Sequence, residues 1–244
     1  MTSARHDPFL ITGTFNFRDV GGARTAAGAR VRDGVLLRSA QLSGLDDQGR
    51  SRLLDLGVTD VHDLRGFAEI DHIGHDALPD QVRLHVTPFD SQISLTPPHE
   101  ARAHATASNH MLEVYRTFPA MPEAHVAIRT LAESALAGTA LVHCAAGKDR
   151  TGWAIATLLR TVDVTEEDVY ADYLLSNDAV PTLRAIMTEG SNEELSDDLL
   201  GVKPEYLASA TDSMIAMYGD LDGYLAEVGI TPEQRTALRG RFIE

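Results

Sequence analysis

Cysteine, lysine and long apolar runs are all scarce in this sequence of 244 residues. Its one cysteine, Cys144, cannot form an intramolecular disulfide or a cysteine-based zinc site, so the cysteine content does not require an oxidising compartment. No run of about 18 apolar residues occurs, and no apolar segment follows a basic start, so we expect neither a transmembrane helix nor a Sec-type signal peptide. These absences predict a cytoplasmic protein.

Positive charge is also scarce. The chain has 36 acidic residues against 21 basic ones, a formal net charge of -15 at pH 7. Such a charge opposes binding to nucleic acid and to anionic membranes, so we expect no nucleic-acid partner and no stable membrane insertion. Any anionic substrate must be bound by a local cluster. The share of hydrophobic residues, 43%, is ordinary for a globular protein.

Glycine and proline divide the chain at regular intervals without marking a linker, which predicts a single domain over residues 1–244. Short apolar runs predict strands, and one helical stretch at 46–56 ends at Gly57. A polar, histidine-rich section from Asp90 to Phe118 predicts a mobile loop or lid, and we assign about 91–118 to a lid-like insertion. The predicted strands cover residues 34–37, 58–64 and 82–89.

Residues 139–143 form a run that is apolar until its end, which is typical of a central strand buried on both faces. A loop and an apolar helix at 153–159 follow, and a helix from Pro122 to Gly138 precedes it. This crossover pattern predicts an α/β fold with a central, mostly parallel sheet flanked by helices. The last third predicts further helices, with starts at Thr165, Pro204 and Thr231.

The loop between that strand and helix, residues 143–152, reads HCAAGKDRTG. With five residues between Cys144 and Arg150, such a loop can direct successive backbone N–H groups to one point, where the next helix adds its positive end. This field stabilises a thiolate at Cys144, which makes it a nucleophile. The planar guanidinium of Arg150 fits two oxygens of a phosphoryl group. The loop therefore predicts an anion site beside a reactive cysteine.

Other positions in the loop suit the same chemistry. Gly147 permits a bend where a side chain would obstruct the anion, and the Thr151 hydroxyl can bond the sulfur. We predict Cys144 and Arg150 as catalytic residues. The predicted substrate-binding residues are Ala145, Ala146, Gly147, Lys148, Asp149 and Thr151.

The loop resembles the signature of the protein tyrosine phosphatase superfamily: Cys, five residues, Arg, then Ser or Thr. Its GKDRTG half, together with NFRDVGG at 16–22, resembles the bacterial branch that includes mycobacterial protein tyrosine phosphatase B and related dual-specificity and phosphoinositide phosphatases. The likeness continues through residues 59–65, 171–178 and 218–230, and so covers nearly the whole chain. It is weakest at about 91–118, where that family has a helical lid.

The resemblance implies a phosphatase that hydrolyses phosphate monoesters through a phosphocysteine intermediate and releases inorganic phosphate. It implies phosphotyrosine protein as substrate, with phosphoserine, phosphothreonine or phosphoinositide as further candidates. No metal and no cofactor is expected. It also allows export by a route that lacks a Sec signal.

The reaction needs an acid to protonate the leaving oxygen. Asp90 is the first candidate, because it ends a predicted strand, opens the predicted lid and follows a Pro-Phe pair, where the resembling family places its acid. Asp149, inside the loop, is its rival. NFRDVGG is interpreted as mainly architectural, with Arg18 or Asp19 as alternative pocket residues.

The loop also allows other interpretations. A rhodanese-like sulfurtransferase and an inactive phosphate-binding module stay open as alternatives, whereas Asp149 after Gly147-Lys148 does not fit a nucleotide-binding P-loop. His143 either bonds the loop backbone or simply packs. The remaining histidines match no rigid metal site, although two groups lie close in sequence: His72, His75 and Asp76; His99, His104 and His110.

Overall fold

The computed structural model describes residues 11–89, 104–188 and 195–244. Its sheet has the strand order β1-β2-β5-β3-β4, in which β1 is antiparallel to β2 and the other neighbours are parallel. This confirms the mostly parallel α/β sheet. The strands are β1 (Arg18–Asp19), β2 (Leu36–Ser39), β3 (Val58–Asp63), β4 (Arg83–Val86) and β5 (Thr139–His143).

Helices surround the sheet and fill the last third of the chain, as predicted. Among the described helices, none has both the length and the apolar composition that crossing a membrane requires. The described α-helices are α1 (Asp47–Asp55), α2 (Phe67–Ile73), α3 (His104–Thr117), α4 (Pro122–Ala137), α5 (Arg150–Thr161), α6 (Glu166–Leu174), α7 (Val180–Met187), α8 (Asp197–Leu200), α9 (Pro204–Tyr218), α10 (Leu221–Val228) and α11 (Pro232–Phe242).

Strand β5 lies at the centre of the sheet and is buried on both faces. Val142 belongs to the apolar cluster shared with α4 and α5, while Leu141 belongs to a second cluster, on the opposite face, that includes Leu53 of α1. All three side chains are buried. Because neither face of β5 meets water, its central residues 140–142 are all apolar rather than alternating.

The predicted starts of the later helices are confirmed by their caps. The Thr165 hydroxyl accepts from the N–H of Asp168 at the start of α6, and Thr231 forms a capping box with Gln234 at the start of α11. α9 begins at Pro204 itself, where the missing N–H costs nothing.

The section from Asp90 to Phe118 differs from the predicted loop wherever it is described. Its second half is helix α3, whose residues Ala107, Met111 and Tyr115 recur every four positions and are buried. Polar residues on the other face of α3 obscure this helical period in the sequence. Residues 90–103 lie outside the described part of the chain, so the lid-like insertion stays a prediction.

Candidate active site

The HCAAGKDRTG loop connects the carboxyl end of β5 to the first turn of α5, at the edge of the sheet where the parallel strands β2, β5 and β3 all end. Cys144 follows β5 directly and is 2% exposed. Arg150 is the first residue of α5. The loop is therefore fixed at both ends by rigid elements.

Every backbone carbonyl from Cys144 to Asp149 has a hydrogen-bond donor. The first four carbonyls accept from His143 and from residues of the segments that surround the loop. The last two accept from N–H groups in the first turn of α5. In chain order the contacts are His143 Nδ1 to Cys144 O (3.2 Å), Gln41 N to Ala145 O (3.1 Å), Asn16 Nδ2 to Ala146 O (2.9 Å), Arg38 Nη2 to Gly147 O (2.7 Å), Gly152 N to Lys148 O (3.0 Å) and Trp153 N to Asp149 O (2.9 Å).

These contacts determine where the N–H groups of the loop point. In a trans peptide the carbonyl and the following N–H point in opposite directions, and the described residues contain no cis peptide. Because each carbonyl bonds a donor, the N–H groups of residues 145–150 face the other way, toward the loop's centre. The arrangement is an anion site made of backbone dipoles at a helix N-terminus.

Asn16 holds the middle of the loop and itself needs an unusual backbone. Its Nδ2 also donates to the Gly147 carbonyl at 3.1 Å, and its Oδ1 accepts from Arg18 Nη1 at 2.6 Å. The φ of Asn16 is +53°, a left-handed conformation that Asn tolerates better than most residues. The NFRD motif therefore supports the loop, and its Arg18 contacts other protein groups behind the loop.

The Asp172 carboxylate, whose side chain is 11% exposed, joins Arg18 and Arg38. Asp172 Oδ1 lies 2.8 Å from Arg18 Nε, and its Oδ2 lies 2.5 Å from Arg38 Nη1. Burial alone would raise the pKa of Asp172, but the two guanidinium groups outweigh it and lower that pKa. Burial, and then repulsion from Arg38, lowers the pKa of Arg18 to about 10. Sequence reasoning missed Arg38 as a contact of the loop.

Gly147 has a left-handed backbone conformation and lies close to strand β2. Its φ is +68°, and a Cβ there would lie 2.0 Å from the Ser39 carbonyl oxygen. A side chain would therefore collide with strand β2. The predicted bend at Gly147 is present.

Arg150 is held by Glu69, which the sequence analysis did not single out. Glu69 Oε2 lies 2.5 Å from Nη1 and Oε1 lies 2.7 Å from Nη2, while Nη1 also donates to the Leu64 carbonyl at 3.2 Å. Glu69 is the third residue of α2 and accepts from the Gly66 N–H at 2.7 Å. Gly66 has no side chain to complete a capping box, so the sequence carries no strong signal for Glu69.

The surroundings of Cys144 favour its thiolate. Burial by itself raises the pKa of this thiol, but the Arg150 charge and the Thr151 hydroxyl outweigh burial, so the pKa lies below its usual value. The Thr151 hydroxyl is buried and has no nitrogen or oxygen partner among the described residues, and its interaction with the sulfur is one of the effects that lower the Cys144 pKa. The predicted thiolate and its predicted partners are thus brought together.

The side chains of Lys148 and Asp149, two neighbouring residues of the loop, form an ion pair. Lys148 Nζ lies 2.9 Å from Asp149 Oδ2 and 3.3 Å from the Gly201 carbonyl, and Lys148 is buried. The Asp149 carboxylate also accepts from the Tyr115 hydroxyl at 2.8 Å. The other acid candidate, Asp90, lies outside the described residues.

Within the described ranges, the two histidine groups that lie close in sequence are dispersed in the fold. His72 and His75 are exposed, whereas Asp76 bonds His143 and Arg65 instead. His110 lies on α3, and His99 is not described. Of the described acidic and histidine side chains, Asp63, Asp76 and His143 come close enough to hold a metal, with ligand atoms within 4.8 Å.

The sequence of the whole chain, and not only this loop, is similar to those of known proteins. A family model described as the tyrosine phosphatase family matches residues 9–244. The chain belongs to that family. The phosphatase is 36% identical to the triple specificity protein phosphatase PtpB of Mycobacterium tuberculosis, over 94% of this chain and 97% of that protein.

A second relative of the phosphatase is a putative tyrosine-protein phosphatase of Cupriavidus necator, 32% identical over 91% of this chain and 84% of that one. The crystal structure of P. aeruginosa TpbA covers 82% of the phosphatase and 90% of its own chain, with a TM-score of 0.39 and 17% identity. The family and PtpB show that the chain is a cysteine-dependent phosphatase. This sets aside the sulfurtransferase and the inactive-module alternatives.

Proposed function

We propose that the phosphatase hydrolyses phosphate monoesters in two steps at Cys144. The thiolate attacks phosphorus, so that an S–P bond forms as the ester P–O bond breaks, and water then attacks the phosphocysteine and releases inorganic phosphate. The N–H groups of residues 145–150 and the Arg150 guanidinium bind the phosphoryl oxygens. The observation that carries this proposal is that all six loop carbonyls are bonded to donors, four by groups around the loop and two by the first turn of α5, beside a buried thiol. No cofactor or metal enters the mechanism.

Asp90 remains our choice for the general acid. Phe89, the residue before it, donates its N–H to the Leu64 carbonyl at 3.4 Å, and Arg150 donates to the same carbonyl. Phe89, the last described residue before Asp90, therefore shares a carbonyl acceptor with the Arg150 guanidinium. The carboxylate of the rival, Asp149, is engaged by Tyr115 and Lys148, which favours a supporting role.

Phosphotyrosine protein is the substrate that the family name supports first. We extend the proposal to phosphoserine or phosphothreonine protein and to phosphoinositides, because the 36% identical PtpB is described as having triple specificity. Lys148 gives little further support for anionic head groups, since its amine is paired with Asp149. A cytoplasmic location, and export without a Sec signal, stay predictions.

Two measurements test the proposal. A radiolabelled phosphate ester, quenched with acid during turnover, is expected to leave label on the wild-type protein and none on Cys144→Ser. The kcat/KM values for a phosphotyrosine peptide, a phosphoserine peptide and a phosphoinositide give the substrate range. Turnover without a trapped phosphoenzyme, or labelling that persists in Cys144→Ser, contradicts the two-step mechanism.

A further inference from the structure

His143 lies directly before Cys144 and is fully buried, and both of its ring nitrogens face oxygen atoms that can only accept. Nε2 lies 2.8 Å from Asp76 Oδ2, and Nδ1 lies 3.2 Å from the Cys144 carbonyl oxygen. A neutral imidazole carries a proton on one nitrogen only, so it can satisfy one of these acceptors. Only the doubly protonated ring donates to both.

The charges around His143 balance that extra proton. The Asp76 side chain has no exposed surface and also accepts from Arg65 Nη2 at 2.9 Å. Asp63 Oδ1 lies 3.8 Å from His143 Nδ1 and bonds the same arginine. Two carboxylates thus face two cations. His62, from β3, is kept neutral by burial and by the neighbouring histidines, so it adds no charge beside the ring.

The pKa of His143 follows the same balance. Burial alone lowers it, and Arg65 lowers it further, but the charge and hydrogen bond of Asp76, together with the charge of Asp63, outweigh both and the pKa rises above its usual value. Asp76 is the larger of the two carboxylate contributions and the only one of the two that bonds the ring directly. The near approach of Asp63, Asp76 and His143 is explained by the Arg65 guanidinium between the carboxylates and needs no metal ion.

We infer that Asp76 is a positioning residue for the nucleophile: it holds His143 as an imidazolium, whose charge and whose Nδ1–H bond to the Cys144 carbonyl stabilise the thiolate. The inference rests on the proposed role of Cys144. The charged ring is adjacent to Cys144 in the chain, whereas Asp76 lies on the far side of that ring. If Asp76 is removed, the ring loses its positive charge and the carboxylate's negative charge disappears as well. Because the ring is nearer to the sulfur, the loss of its positive charge has the larger effect on the thiolate.

The sign of the effect makes the inference testable. If His143 kept its second proton without Asp76, removing the carboxylate would leave extra positive charge and lower the Cys144 pKa. The inference requires the opposite. The pH dependence of Cys144 alkylation by iodoacetamide reports the thiolate directly and does not depend on turnover.

We expect Asp76→Asn to raise the apparent pKa of Cys144 by about one unit, a roughly tenfold loss of thiolate below that pKa. His143→Asn should raise it as well, and adding Asp76→Asn to His143→Asn should change it little. Asp60→Asn is the matched control, because Asp60 is a buried carboxylate of the same sheet that pairs with an arginine and a histidine but not with this loop.

A lowered or unchanged pKa in Asp76→Asn overturns the inference, and so does an equal shift in Asp60→Asn or an undiminished shift in the double variant. If Asp76→Asn does not fold, nitrogen NMR of the His143 ring in the wild-type protein decides, since one unprotonated nitrogen at pH 7 refutes the imidazolium. Failure to trap a phosphoenzyme would reject the proposed function and leave these ionisation measurements intact.

Discussion

Glu69 fixes the guanidinium of Arg150 through both carboxylate oxygens, one to each terminal nitrogen. Burial alone would raise the pKa of Glu69, but the hydrogen bonds and charge of Arg150 lower it, so Glu69 is ionised at neutral pH. The plane of the guanidinium is therefore set before a substrate arrives, which reduces the entropy lost when the phosphoryl oxygens bind.

Glu69→Gln keeps the size of the side chain and removes its charge. We expect kcat/KM to fall about 10- to 100-fold, the loss of a charge-assisted bond to the oxygen-binding residue. Glu113→Gln is the control, because Glu113 pairs with Arg116 on the exposed surface of α3. Equal kcat/KM values for the two variants would show that Arg150 needs no fixed partner.

Cys144→Ser and Arg150→Ala should separate chemistry from binding. Cys144→Ser is expected to lose turnover but to bind inorganic phosphate, because the loop N–H groups and Arg150 remain. Arg150→Ala should lose both turnover and phosphate binding, because the planar guanidinium that binds two phosphoryl oxygens is removed. Steady-state kinetics and calorimetric titration with phosphate measure the two effects. Substantial turnover by Cys144→Ser with any phosphate ester would reject the nucleophile.

Asp90→Asn should affect substrates according to their leaving group. A nitrophenolate departs with little help, whereas an alkoxide must be protonated as it leaves, so alkyl phosphates should lose roughly 10² to 10⁴ in kcat. The comparison variant is Asp149→Asn. If the leaving-group dependence belongs to Asp149→Asn instead, the acid lies inside the loop.

Gly147→Ala and Gly28→Ala test the need for a close approach at the loop. Both residues have positive φ, but a Cβ at Gly147 meets the Ser39 backbone, whereas a Cβ at Gly28 meets nothing within 4 Å. Both variants should lose about 1 kcal/mol of stability from backbone strain. Only Gly147→Ala should also lose about 100-fold in kcat/KM, because the loop must shift. Similar kinetics for both would argue against this fit.

His62 should make the fold sensitive to acid. It is fully buried, neither ring nitrogen has a partner among the described residues, and burial, with repulsion from His85, lowers its pKa to about 3. Below pH 6.5 the unfolded chain takes up a proton that the folded one does not, so stability falls as pH falls, by about 2 kcal/mol between pH 6.5 and 5.

His62→Phe should remove that part of the pH dependence, measured by urea unfolding at pH 6.5 and pH 5. The exposed His72→Gln serves as the control and should unfold like the wild-type protein at both pH values. An unchanged pH dependence in His62→Phe would mean that His62 finds a proton acceptor in the folded state.

The sequence predicted the parts of this site that lie close together in the chain. Cys144, Gly147 and Arg150 share one loop, and the apolar run before it identifies the strand that carries it. Glu69 and Arg38 were missed because their roles depend on strands β2 and β3 lying beside β5. Long-range pairing of strands leaves no periodic signal in a single sequence.

Helix α3 shows a second limit of the sequence. Its buried face has only one aromatic residue, Tyr115, and two smaller residues, and the polar residues between them suggested a loop. The hydroxyl of Tyr115 reaches Asp149 and accepts from Tyr173 at 2.7 Å. Contacts of this kind depend on tertiary packing, which amphipathic periodicity does not describe.

The hydrogen bonds to the Gly147 carbonyl link formation of the active site to folding of the whole chain. The donors are Asn16 and Arg38, and the carboxylate that anchors Arg38 is Asp172 on α6. The anion cradle is thus supported by the segment before β1, by strand β2 and by helix α6, and no short fragment contains all these supports. A nascent or nicked chain should have no phosphatase activity, and activity and circular dichroism should be lost together in a denaturant titration, because catalytic competence reports the cooperativity of the whole fold.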